Sequence, residues 1–392
     1  MIVLWHILLF MSVTLSDTAF DTLRGGITSG RWRPGSSLPS EGRLAEELAV
    51  SRTTLRIALR RLEDRGLVRS RQGSGRVVTS SNGKAVGMMA KTIGLVTNMT
   101  GHPSSYARGP FESAIDAGVY DGVRLAGLHL LNLNIPEGGI PDEEVEMVLH
   151  NPPRGLILTR PELAGPNLTR HLSTLRDAGV TLVIHGDPPG GAHFDRVISD
   201  HARGSADLTR FLLGRGCQRI LRVWGVDTQP YWIKFRDQGH EQAMREAGLE
   251  PLPALVVRSA SPCTPDPETF QTRTRQFAGF LLEHLRGPNR PQALIATNDP
   301  DAIVTAAACR LLGVDPEKDI TIVGYDANWA TVKEYEYAPF VPAATVDKIN
   351  ENTGRKLVET LLARLDNQLN PEPVLAMSQP TLTVPEAQPS AR

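Results

Sequence analysis

The stretch from Arg33 to Val78, RPGSSLPSEGRLAEELAVSRTTLRIALRRLEDRGLVRSRQGSGRVV, leaves the chain little choice of local structure. From Arg52 to Arg65 the spacing is helical. Leu55, Ala58, Leu59 and Leu62 recur at i, i+3, i+4 and i+7 and form one apolar stripe. Thr53, Arg56 and Arg60 fall together on a different face. Ser51 stands where an N-cap accepts free backbone N–H groups, so the helix begins at Arg52. A shorter helix is predicted before it, about Glu41–Leu48, capped by Ser40 with Leu44, Ala45 and Leu48 inward. Another is predicted over Asp17–Gly30, with Phe20, Leu23 and Ile27 inward. After Gly66 the period changes: Leu67, Val68 and Arg69 lead to the hairpin tip Gln72-Gly73-Ser74-Gly75, and Val77-Val78 returns. A helix with a core stripe and an Arg/Thr face, followed by a two-stranded wing, suits insertion into the major groove of DNA.

These residues resemble the winged helix-turn-helix of the GntR family of bacterial transcription regulators. The match runs in order through Pro34-Gly35, Leu38-Pro39-Ser40-Glu41, Leu44-Ala45, Val50-Ser51-Arg52-Thr53-Thr54-Leu55-Arg56, Ala58-Leu59, Leu62, Gly66-Leu67-Val68 and Gly73-x-Gly75. In that family the start of the second helix and the Gly-rich wing touch DNA. The resemblance therefore implies contacts from Arg52, Thr53, Thr54, Arg56 and Gly75, to which the periodicity adds Arg60. Many members carry a basic residue directly after the Ser-Glu pair; here Gly42 stands there, with Arg43 next.

Charge distribution points the same way. The whole chain of 392 residues has a formal charge of −1, yet residues 17–80 hold twelve arginines against seven acids. A basic head on an acidic body fits a module that meets phosphates. The three cysteines, Cys217, Cys263 and Cys309, are scattered, without a CxxC or Cys/His cluster. Neither a disulfide frame, a metal site nor a cofactor is expected, and a reducing cytoplasm is the natural compartment. Met1–Met11 is apolar, too short to span a bilayer and without the basic start of a secretion signal. Residues 1–16 are read as an extension whose first part is an over-extended start, with Met11 as the first residue; the alternative is a short arm packing on the head or a partner. The head is assigned to 17–80 and a Ser/Gly-rich linker to 81–91.

From Thr92 short apolar runs alternate with amphipathic stretches. The runs are 93–97, 128–133, 155–159, 182–185, 219–223, 254–257, 293–296 and 320–323; the helix-like stretches are 109–122, 142–150, 167–178, 201–215, 235–247, 267–286, 300–312 and 347–365. Such alternation predicts α/β architecture with parallel sheets and helices on both faces, which bind ligands at the carboxyl ends of their strands. About 300 residues is large for one such sheet, so two lobes are expected.

This half resembles the periplasmic-binding-protein-like sensor domain of the LacI/GalR regulators. The motifs are Val197-Ile198-Ser199-Asp200 before Gly204, Leu212-x-x-x-Gly216-Cys217-x-x-Ile220, Arg236-x-x-Gly239, Ala296-Thr297-Asn298-Asp299, Ile322-Val323-Gly324-Tyr325-Asp326 and Ala344-Thr345-Val346. The resemblance implies two doubly wound parallel sheets within 92–385, lobe one at 92–200 plus 327–346 and lobe two at 201–326 plus 347–385, before a tail at 386–392. A GntR-type head on such a sensor resembles the arrangement of arabinose-type sugar repressors.

The same resemblance gives Arg236 the ligand-binding role of the cleft arginine; a surface salt bridge is its ordinary alternative. Asp299, just past an apolar strand, either accepts from ligand hydroxyls or caps the helix at Pro300. Asp326 either binds ligand or orients the hinge. Asn98 and Arg160 point cleftward by position, and His185 stands where the family often has Asp. Trp224, Tyr231, Trp232 and Trp329 lie near strand ends, where stacking on a sugar competes with burial in the core. No nucleophile–base spacing, metal pair or phosphate loop marks an enzyme. The expected protein is a DNA-binding transcription regulator, a repressor, homodimeric, without a membrane segment, bound to operator DNA and controlled by a small-molecule effector, a carbohydrate. The alternative is a regulator whose sensor domain only dimerises.

Overall fold

A computed structural model describes residues 14–28, 31–32, 35–71, 75–78, 87–98, 110–136, 138–226, 230–258, 264 and 266–385. Most of the expected extension and linker, the tip residues 72–74 and the tail lie outside them. The head contains α1 (Leu15–Thr28), α2 (Glu41–Glu47), α3 (Arg52–Asp64), β1 (Val68–Arg71) and β2 (Gly75–Val78). The helix read from Asp17 begins at Leu15, because Thr14 and Asp17 cap each other: Thr14 N and Oγ1 donate to Asp17 Oδ2 at 3.0 and 2.7 Å. Ser40 and Ser51 are the N-caps of α2 and α3. Leu55, Ala58, Leu59 and Leu62 pack on Phe20, Leu23, Ile27 and Leu44 as one buried core. β1 and β2 pair antiparallel from Val68↔Val78 to Arg71↔Gly75.

The body follows. Lobe one opens with β3 (Thr92–Thr97), α4 (Pro110–Leu125), β4 (His129–Asn134), α5 (Asp142–His150), β5 (Gly155–Leu158), α6 (Leu168–Asp177), β6 (Leu182–His185) and β7 (Asp195–Ser199). Lobe two contains α7 (His201–Gly214), β8 (Ile220–Trp224), α8 (Tyr231–Glu246), β9 (Leu255–Val256), α9 (Pro267–Leu285), β10 (Ala293–Ala296), α10 (Asp299–Leu311), β11 (Thr321–Val323), α11 (Lys333–Tyr337) and β12 (Thr345–Asp347). The chain then returns to lobe one as α12 (Asn350–Leu365) and β13 (Leu375–Ser378), and crosses again to β14 (Thr381–Thr383), which pairs antiparallel with β12. The larger sheet is parallel in the order β13-β7-β6-β5-β3-β4, and the smaller is parallel in the order β11-β10-β8-β9.

This topology corrects the expected lobe boundaries: the two late segments are exchanged. Residues 327–346 stay with lobe two, where Phe340 is buried and Val332, Tyr335 and Tyr337 pack against the core under α9 and α10. Residues 350–378 belong to lobe one, where Leu357, Val358 and Leu361 join the core of β3, β5 and α4. Glycines make that docking possible. A Cβ on Gly118 would lie 2.0 Å from Glu351 O, and one on Gly354 would lie 2.1 Å from Ile115 O, so α4 and α12 touch backbone to backbone. β7 was not read as an apolar run because it opens on Asp195 and Arg196. Asp195 is nonetheless buried, held by Arg364 Nε and Nη2 at 2.7 Å each and by Val374 N at 2.9 Å.

The head meets lobe one at the end of α5. Arg24 Nη1 donates to Leu149 O at 2.6 Å, and His150 Nε2 donates to Asp21 Oδ2 at 3.0 Å. Among the described residues no helix is long and apolar enough to cross a membrane.

Candidate functional site

Two surfaces carry the chemistry. On the head, Arg52, Thr53, Arg56 and Arg60 are exposed along α3, opposite its core stripe. Ser51 Oγ accepts from Thr54 N at 3.0 Å, which sets the first turn. Thr54 is half-buried and its hydroxyl is shared with Ser51 Oγ at 2.8 Å, so it supports the cap as well as facing outward. Glu41 accepts from Arg56 Nε at 2.8 Å and from Arg76 Nη1 at 2.6 Å, tying α3 and the wing to the start of α2. These two hydrogen bonds hold the Glu41 carboxyl below its ordinary range. Gly75 is exposed with φ +72°, a left-handed conformation that favours glycine at the wing turn. A Cβ on Gly42 would meet Arg52 Nη2 at 3.6 Å, so the Arg52 guanidinium borders the place where a residue-42 side chain would stand.

Other head arginines serve the fold. Arg61 and Arg65 lie over the Phe20 ring at 4.5 and 4.6 Å, and Arg61 also pairs with Asp17 at 2.6 Å. The excess of positive charge is thus divided between a structural cluster on α1 and an exposed row on α3.

In the body, a cavity of about 770 Å³ lies between the lobes at the carboxyl ends of both sheets. Lobe one contributes Thr159, Arg160 and Glu162 after β5, His185 at the end of β6 and Asp187 just after it. Lobe two contributes His201 at the first crossing, Tyr231, Trp232 and Arg236 on α8, Thr297 and Asn298 after β10, and Asp326 after β11. Lys348 and Asn350 line it from the second crossing.

Arg236 is buried. Its Nη1 donates to Thr297 O at 2.5 Å, and its guanidinium lies 3.5 Å from the Tyr325 ring centre and 4.5 Å from that of Trp232. Among the described residues its Nε has no hydrogen-bond partner. Burial lowers the pKa of Arg236 from its ordinary value. Arg160 Nε donates to Glu162 Oε1 at 2.7 Å, and Lys348 Nζ pairs with Asp326 Oδ1 at 2.9 Å. Burial pushes the pKa of His185 down, and burial together with the Arg236 and Lys348 charges pushes that of His201 far down. His201 Nδ1 is buried without a partner among the described residues. Asp187 is paired with Arg196.

Arg160, His185, Arg236 and Asp326 thus come together around one cavity, whereas Asn98 and Asp299 do not line it. Asp299 is fully buried and works inside lobe two: it accepts from Thr345 Oγ1 at 2.7 Å, Asn328 N at 2.8 Å and Trp329 N at 3.1 Å. Burial pushes its carboxyl up to about 7. Neither expected role for Asp299 matches this placement, since the N-cap of α10 is Asn298, whose side chain accepts from Asp301 N at 2.8 Å. Asp326 follows β11, which stays in lobe two, and the crossing comes at Asp347–Asn350. Asp326, Ala327 and Ile349 have φ of 97°, 54° and 48°, left-handed values that strain non-glycine residues beside that crossing.

Glu162, Asp187, His201, Asn298 and Lys348 escaped the sequence reading. Each sits one to four residues past a strand, the position that the switch-point rule marks for ligands. Tyr231 and Trp232 line the cavity, whereas Trp224 is core, with Nε1 donating to Asp237 Oδ1 at 3.0 Å. Among the described residues no group of His, Cys, Asp and Glu is placed to hold a metal ion.

Residues 15–78 match the family of bacterial regulatory proteins described as gntR, and residues 209–384 match a periplasmic binding protein-like domain. The chain is 27% identical over 348 residues to the arabinose metabolism transcriptional repressor of Geobacillus stearothermophilus, covering 87% of this chain and 88% of that one. Its fold is similar to that of a transcriptional regulator CelR–cellobiose complex, with TM-score 0.55 and 20% identity over 88% of this chain and 99% of the other. It is also similar to a LacI-family regulatory protein from Chloroflexus aggregans, with TM-score 0.56 and 22% identity over 74% and 96% of the two chains.

Proposed function

We propose that this chain, in which a GntR-type winged-helix head is joined to a periplasmic-binding-protein-like body, is a transcription repressor whose operator affinity is set by a carbohydrate bound between the lobes. The observation that carries this reading is the cavity itself, walled by both lobes at the carboxyl ends of two parallel sheets. Its polar lining suits neutral hydroxyls. Arg160 and Lys348 are paired with the Glu162 and Asp326 carboxylates, and Arg236 donates through Nη1 to Thr297 O. What remains is a mixed set of donors and acceptors beside the Tyr231 and Trp232 rings, the pattern that a sugar's hydroxyls and apolar face complement.

Effector binding is coupled to DNA through lobe closure. A sugar that touches Arg160 and His185 on one wall and Arg236 on the other favours the closed arrangement, and coupling of about 1–3 kcal/mol changes operator affinity 5- to 150-fold. The Asp326–Lys348 pair lies at the crossing segment where such a motion turns. The α5 contact with Arg24 and Asp21 gives lobe one a direct hold on the head. The working form is a cytoplasmic homodimer whose two heads read two half-sites about one DNA turn apart or more.

The test uses the full chain. Thermal unfolding is followed against pentoses, hexoses and disaccharides, and gel shifts on captured genomic fragments are repeated with any sugar that stabilises. One sugar should raise stability by about 2.7 kcal/mol at a hundred times its Kd and weaken the gel shift. If no sugar stabilises the chain while it still binds DNA, the effector reading fails.

A further inference from the structure

Ile57 is not used by the fold. It is half exposed on α3 and does not join the buried core of the head, which takes Leu55, Ala58, Leu59 and Leu62 from the opposite side. A single exposed isoleucine is ordinary on a protein surface. Its place is what matters here. At about 100° of turn per residue, Ile57 lies about 40° from Thr53 and about 60° from Arg60. It therefore stands at the edge of the row of exposed polar and basic residues, next to Thr53 and about 100° from Arg56, whose guanidinium is drawn toward Glu41. Asp64, exposed one turn beyond Arg60, marks where that face stops being compatible with phosphate.

The aliphatic side chain of isoleucine carries no donor or acceptor and so forms no hydrogen bond to a base edge or a phosphate. The positive side chains around it complement DNA and would bring the helix into the groove. The one apolar feature that a base pair shows in the major groove is the C5-methyl of thymine. Resting on the assignment of α3 as the DNA-reading helix, we propose that Ile57 reads a thymine methyl in each operator half-site, while Arg52, Thr53 and Arg60 supply phosphate and polar base contacts. The apolar surface left in water in the free protein is covered in the complex, which makes Ile57 a specificity determinant separate from the charge-dependent affinity.

Full-length protein is used to select duplexes from a random pool, and each thymine of the selected site is then replaced by uracil, which removes only the methyl group. One replacement per half-site should weaken wild-type binding about 4-fold, the worth of one buried methyl. Ile57→Ala, which alters both heads, should bind the thymine site about as weakly as the wild type binds a site with uracil in both half-sites, show no thymine–uracil difference, and keep the wild-type salt dependence and melting temperature. Ile57→Val should keep part of the discrimination. If no uracil replacement distinguishes the wild type from Ile57→Ala, the methyl contact is overturned. If the wild type enriches no sequence, it is the DNA-reading assignment of α3 that fails instead.

Discussion

In the head, Thr53, Arg56, Ile57 and Arg60 stand in solvent on one helix, and the side chains that hold that helix lie on its far side. In the body, Arg236 and His201 are buried between two lobes, and the groups that line the cavity also hold the walls together. The head can thus change its reading side chains at little cost to folding. The body cannot change Arg236 or Lys348 without disturbing its own packing, because removing them leaves Thr297 O or the Asp326 carboxylate unpaired.

The sharpest test of this contrast is Arg236→Ala. It leaves Thr297 O unpaired and opens a void between Trp232 and Tyr325, so chemical denaturation should show a loss of about 3 kcal/mol, with loss of any sugar response. A variant as stable as the wild type would place Arg236 in the same class as the head residues.

The next effect is on pH dependence. Asp299, pushed up to about 7 from 3.8, binds its proton in the folded protein before the unfolded chain does, so it adds stability as pH falls from 7 towards 4. His240, pushed down to about 3 from 6.5 by burial, stays neutral while the unfolded chain protonates, so it removes stability as pH falls below 6.5. Between about pH 7 and pH 5 each effect is about 2 kcal/mol, with opposite signs. Asp299→Asn should therefore steepen the acid loss of stability and His240→Gln should flatten it, read from urea unfolding at several pH values. In the head, Asp17 is lowered to about 2 and Glu41 and Glu63 are lowered as well, each by hydrogen bonds. Their stability is present above the unfolded carboxylate range and lost below it, so over this interval the head should not respond.

Arg56→Ala should weaken binding to a selected site about tenfold and reduce the salt slope by about one. Its exposed pair with Glu41 contributes at most about 1 kcal/mol, so melting should hardly move. A large drop in melting temperature would show that Arg56 is structural. The smallest effect is expected for Ser51→Ala, which removes the cap of α3 and should cost about 1 kcal/mol in head stability, with reduced helicity by circular dichroism and only a slight loss of DNA affinity.

How far each half could be read from its residues follows the same division. In the head, the i, i+3, i+4 stripe and the two serine caps act over four residues or fewer, so α2 and α3 were expected within one residue of where they lie. In the body, apolar runs marked most strands, but β7 was hidden because Asp195 is buried with a partner 169 residues away. Arg160, His185 and Asp326 were reachable because strand ends face the cavity, and Arg236 because the resemblance marks the arginine of that helix. Asp299 was misplaced because a strand end also faces the neighbouring loop, and only the fold shows that Asn328, Trp329 and Thr345 take its oxygens.

Local spacing and charge were enough to specify a basic reading helix, a wing and an alternating α/β body, since helix periodicity, capping and strand apolarity are short-range properties. Which lobe α12 and residues 327–346 join, which carboxylates reach the cavity and which arginines are left for DNA were settled by contacts between distant segments. Those contacts depend on glycine-sized gaps, paired buried charges and crossing geometry that become physical only when the chain is packed.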